Sequence, residues 1–106
     1  AEIGVTNATW VWCVNRFFDL PAGPSTRIAA LYPGDRYVDW VSFDAYNRGT
    51  VGGGTWRSFA DAAQPVYDEL LRIAPGKPVM VAETGTVEPG GDKPGWFRAA
   101  LKNHLK

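Results

Sequence analysis

One cysteine and one histidine are all that 106 residues contain of two versatile catalytic and metal-ligating side chains. A single Cys13 excludes an internal disulfide and any cysteine-rich metal site. A single His104, near the end of the last predicted helix, leaves no material for a histidine metal cluster and argues against a serine triad. Excess charge of one sign is missing too: 11 basic residues cancel 11 acidic ones, so the chain lacks the electrostatic footprint of a nucleic-acid partner. No apolar run approaches the about 20 residues of a membrane helix, and Ala1-Glu2-Ile3-Gly4 lacks the basic-then-apolar order of a signal peptide. Gly52-Gly53-Gly54-Thr55 has no lysine and follows no strand directly, so it reads as a loop rather than a phosphate cradle. No internal repeat, low-complexity tract or linker interrupts the chain, and nothing in it calls for a metal or a cofactor. Its length suits one small domain or a piece of a larger one.

What remains is rich in aromatics, 13% with five tryptophans, which suits a large apolar core or a sugar-stacking surface. Three short apolar runs, Thr9 to Val14, Val38 to Asp44 and Pro78 to Glu83, have the composition of strands buried on both faces. Between the second and third, Phe59, Ala62, Ala63, Val66, Tyr67, Leu70, Leu71 and Ala74 recur at helical spacing. Ser58 with Asp61 makes a capping pair, and Pro75-Gly76 stops the helix. Pro65 predicts a kink or break near Gln64. After the third run, Gly90 to Pro94 reads as a loop and N-cap, followed by an apolar stripe of Trp96, Phe97, Ala100, Leu101 and Leu105. A short helix fits Ser25 to Tyr32.

Strand, helix, strand, helix, strand, helix demands a parallel sheet with crossover connections. Three strands alone leave two open edges, the reading of a partial α/β fold: three parallel β/α units of a (β/α)₈ TIM barrel. Residues 1–106 are then one piece of a single barrel domain. Polar residues gather where such a barrel keeps its active site, at the carboxyl ends of the strands: Asn15 after the first, Asp44, Tyr46 and Asn47 at the second, Glu83 closing the third. Strand alternation puts Ser42, Asp44 and Tyr46 on one face and Val41 and Phe43 on the other. If Glu83 points into the barrel mouth, Val79 and Val81 lie beneath it while Met80 and Ala82 meet helices. Spacing alone leaves other roles open. Glu83 can cap the next segment or pair with a base, and Tyr46 and Trp12 can be core packing. Asp44 can bind a sugar hydroxyl or cap a loop, and Glu88 is a rival carboxylate in a Pro-Gly loop.

The strings Asn7-Ala8-Thr9-Trp10-Val11-Trp12-Cys13-Val14-Asn15 and Tyr32-Pro33-Gly34-Asp35-Arg36-Tyr37-Val38-Asp39-Trp40-Val41 resemble the fifth and sixth strands of glycoside hydrolase family 26. Asp44-Ala45-Tyr46-Asn47, Trp56-Arg57-Ser58-Phe59, Lys77 to Gly85 and Gly91-Asp92-Lys93 continue the likeness over nearly the whole chain. The resemblance implies a stretch from about strand five to helix seven of a retaining β-mannanase- or β-glucanase-like barrel. It makes Glu83 the nucleophile of a two-glutamate site and Tyr46 the hydroxyl that orients it. Trp12, Asn15, Asp44 and Asn47 become candidate substrate contacts.

The resemblance also implies a β-linked polysaccharide or oligosaccharide as the partner, with the remainder of the barrel beside it, and a secreted location because a polymer cannot enter a cell. The family's acid/base glutamate, in a His-Glu context at the end of the fourth strand, has no counterpart here. Without a proton donor a retaining hydrolase loses its first step, so these residues alone are expected to be inactive. Two alternatives stand beside this reading: a non-catalytic carbohydrate-binding remnant of such a barrel, and a barrel enzyme using Glu83 as general base.

Overall fold

A computed structural model describes residues 4–15 and 24–102. His104 and Leu105 lie outside the described residues. Three strands, β1 (Val11–Val14), β2 (Trp40–Asn47) and β3 (Val79–Thr86), form one parallel sheet in the order β1-β2-β3. Helix α1 (Pro24–Leu31) lies between β1 and β2 in the chain, α2 (Phe59–Ile73) between β2 and β3, and α3 (Lys93–Lys102) follows β3. The expected alternation of strand and helix is therefore present, with shifted boundaries. Both longer strands run three residues past Asp44 and Glu83, whose polarity had suggested their ends. Backbone pairing continues through Tyr46 with Gly85 and Asn47 with Thr86, and Val87 N–H still donates to the Asn47 carbonyl at 3.2 Å.

Helix α2 covers the central strand. Its apolar stripe, Phe59, Ala62, Ala63, Val66 and Leu70, is buried, and it faces Val41, Phe43 and Ala45, all fully buried on β2. Alternation places those three β2 residues on one face of the strand, which is why a single helix can bury them together. The helix starts at a complete capping box. Ser58 Oγ accepts the Asp61 N–H at 3.1 Å, and the Asp61 carboxylate accepts the Ser58 N–H at 3.3 Å. Ser58→Ala is expected to lower stability by about 1 kcal/mol, read as a lower denaturant midpoint with an unchanged slope.

Of the kink or break expected near Gln64, the break does not occur: α2 runs on through Pro65. It sits on the exposed side of the helix, while buried Ala62, Ala63 and Val66 hold the turns on either side of it. The stripe on α3 is corrected as well. Trp96 is buried, packs edge-on against Phe59 at 5.6 Å and donates its indole N–H to the Arg57 carbonyl at 2.9 Å. Phe97 and Leu101 instead face outward, Leu101 at 86% exposure.

The face of the sheet opposite α2 is largely uncovered. Val11, Trp40, Tyr46 and Met80 are exposed there, and Ser42 is the small buried residue among them. Among the described residues no helix is long and apolar enough to cross a membrane.

Candidate active site

A carboxylate and a phenol meet on the uncovered face near the carboxyl ends of adjacent strands. Tyr46 Oη donates to Glu83 Oε2 at 2.5 Å, a length typical of a hydroxyl donating to a charged oxygen. Asp44 is paired directly across from Glu83 and shares its face. The hydrogen bond to Glu83 is the main reason the Tyr46 phenol titrates above the ordinary tyrosine range. Partial burial and the negative charges of Glu83 and Asp44 add to the effect, and Arg48 opposes it.

Glu83 reaches this face because β3 carries a bulge. Val79, Met80 and Val81 pair in order with Val41, Ser42 and Phe43, but Asp44 pairs with Glu83, so Ala82 is the extra residue. Paired residues share a face, and the expected arrangement is thereby reversed below the bulge. Val79 and Val81 lie on the helix side with Val41 and Phe43, and Met80 lies on the open side with Ser42. One inserted residue restores Glu83 to the side of Asp44 and Tyr46. Thr84 Oγ1 donates to the Ala45 carbonyl at 2.8 Å, tying the strands just beyond the bulge.

The other predicted site residues divide. Asn15 directly follows β1, exposed at the same end of the sheet. Asp44 is half-buried, and its Oδ1 accepts a long 3.5 Å bond from Cys13 Sγ. Trp12 is corrected: it pairs with Val41 and lies on the helix side, its ring 5.0 Å from Tyr32 and packed against the core. Asn47 is corrected too, being only 2% exposed. Its Oδ1 accepts the backbone N–H groups of Gly49 at 3.1 Å and Arg57 at 2.9 Å, and its Nδ2 donates to Thr86 Oγ1 at 2.8 Å. This amide ties the loop after β2 to the end of β3, buried with Phe43 and Ala45 on the helix side of β2. Glu88 lies in the loop after β3 and pairs with Lys93 at 2.9 Å, its side chain largely exposed.

Cys13 is the site-facing residue that the sequence reading passed over. It pairs with Ser42 on the open side. Burial raises its thiol pKa, with the charges of Asp44 and Glu83 adding to the rise and a hydrogen bond with Ser42 opposing it. Counting back two residues from Asn15 would have found it. Around the rim, the loops after β2 and β3 clasp Trp56. A side chain on Gly91 would overlap its indole, and a Cβ on Gly49 would stand 3.4 Å from that ring and 2.9 Å from the Pro89 carbonyl oxygen. Gly49 also has φ +53°, so glycine suits this position on two counts. Among the described residues no group of three or more His, Cys, Asp or Glu side chains could hold a metal ion.

The chain is 39% identical over 102 residues to Endoglucanase H of Acetivibrio thermocellus, a match covering 94% of this chain and 11% of that protein. The chain thus spans about a tenth of the length of the curated relative it matches. The sequence profile described as glycosyl hydrolase family 26 matches residues 2–89. On these two matches, the chain belongs to glycosyl hydrolase family 26.

Proposed function

We propose that this chain is the nucleophile-bearing part of a retaining endo-β-glycanase, three consecutive β/α units of a (β/α)₈ barrel whose open sheet face is the barrel interior. The observation that carries the reading is the Tyr46 to Glu83 hydrogen bond near the carboxyl ends of β2 and β3. Catalytic residues of such barrels sit at that end of their strands. With Oε2 held by the phenol, Glu83 presents Oε1 to the anomeric carbon. Attack there forms a glycosyl–enzyme ester as the leaving oxygen departs with a proton, and water then hydrolyses the ester, so the β configuration is kept. The proton donor belongs to a segment outside these residues, about 5 to 5.5 Å from Glu83 in a retaining site. Asp44 beside Glu83, and Asn15 after β1 on the far side of β2, are candidate contacts for sugar hydroxyls. The name of the matched relative favours a glucan over a mannan as substrate. A polymeric substrate implies a secreted protein.

The test uses the full-length protein on cellulosic glucan, mixed-linkage β-glucan and β-mannan, with proton NMR of the first-formed sugar. Hydrolysis within the chain with a β product supports the proposal. An α product means an inverting enzyme, and no cleavage of any β-glycan removes the reading altogether.

A further inference from the structure

We infer that Gly85 is a positioning residue for Glu83, because the absence of a side chain there lets the Tyr46 ring lie across β3 and deliver its hydroxyl to the carboxylate. This deepens the proposed function and rests on it. The register pairs Gly85 directly with Tyr46, so the two side chains would share one face of adjacent strands. A Cβ on Gly85 would stand 3.3 Å from Tyr46 Cε1 and 3.4 Å from Cδ1, and no other described atom lies within 4 Å of it outside its chain neighbours. The first of these distances is closer than most real Cβ contacts, so the ring must move by a few tenths of an ångström to admit a methyl group.

Tyr46 is partly exposed, so displacement costs less than rearranging a packed core, and the ring yields before the strand does. The hydroxyl moves with it. A 2.5 Å bond to Glu83 has no slack, so a shifted ring either lengthens the bond or turns the carboxylate away from its attacking position. Gly85 has no positive φ that would require glycine for backbone reasons. Its lack of a side chain is explained by the ring alone.

The experiment compares Gly85→Ala, Tyr46→Phe and the double variant in the full-length protein. Three quantities are read: kcat and KM, the phenol titration of Tyr46 by ultraviolet absorbance (assigned by subtracting Tyr46→Phe), and Tm. Gly85→Ala is expected to move the Tyr46 titration down toward the ordinary tyrosine value and to lower kcat roughly tenfold with KM little changed. The double variant is expected to be no slower than Tyr46→Phe, because the methyl acts only through the ring. Should Gly85→Ala fold poorly, adding Tyr46→Ala restores Tm, since that removes the ring the methyl meets among the described residues.

An unmoved Tyr46 titration overturns the inference. So does a double variant whose loss is the product of the two single losses, or a fold defect that Tyr46→Ala leaves in place. A shifted titration with unchanged kcat overturns the catalytic part of it. Failure of the underlying functional reading shows elsewhere, as turnover that survives removal of the Glu83 carboxylate.

Discussion

In the full-length protein, Glu83→Ala is expected to abolish β-glycan hydrolysis, by on the order of 10⁴-fold or more in kcat, while leaving Tm nearly unchanged. The asymmetry follows from where the side chain sits. Glu83 is exposed on the uncovered face, so truncating it opens no cavity in the core of Val41, Phe43, Ala62 and Leu70. What is lost is the attacking oxygen and the partner of the Tyr46 hydroxyl. A small anionic nucleophile distinguishes the roles. Azide entering the vacated space attacks the anomeric carbon from the side where Glu83 stood, and the stable product is a glycosyl azide of inverted, α configuration. A β azide would assign Glu83 to proton transfer instead. Undiminished turnover would move the nucleophile elsewhere, with Glu88 the next to examine despite its ion pair with Lys93 in the loop beyond β3.

Asn47→Ala is expected to cost about 3 kcal/mol of stability, because it removes one buried acceptor that serves two backbone N–H groups. Gly49 is itself buried, so its freed N–H gains no water in exchange. Thr86 loses a donor in the same step, and the strap between the β2 loop and the end of β3 goes with it. Chemical denaturation of the full-length protein should show a large fall in midpoint. Asn47→Asp keeps the acceptors but buries a charge and removes the donor to Thr86, so it should not rescue fully. If Asn47 were the sugar ligand that its position in the motif suggested, the result would be different: KM would rise and the midpoint would stay.

Asn47 also illustrates what could have been read earlier. The alternation that groups Ser42, Asp44 and Tyr46 puts Asn47 on the other side of β2, with Phe43 and Ala45. In the same way Cys13 on β1 shares its parity with Asn15 just beyond the strand, and Trp12 falls with Val14 toward the helices. Position near a strand end was a weaker guide than parity. Two further misses have different causes. Polar Asp44 and Glu83 looked like strand ends because composition reports burial, whereas strand length is decided by backbone pairing, which here continues to Asn47 and Thr86. The outward turn of Phe97 and Leu101 on α3 depends on which neighbours are packed nearby, and their spacing carries no record of that.

The sequence by itself determined the order of three strands and three helices, the capping box and buried stripe of α2, the family, and the candidacy of Glu83 and Tyr46. These are local or cumulative signals: periodicities of two and of 3.6, a cap three residues from its partner, and strings that resemble a known family. The tertiary structure decided which way β3 faces. Alternation along a strand assigns sides only while the ladder is regular, and a bulge arises from how one strand registers against another far along the chain, as Asp44 does with Glu83. Ala82 is that extra residue. It turns Val79 and Val81 toward the helices and Glu83 toward Tyr46, and the same register sets Gly85 beneath the Tyr46 ring.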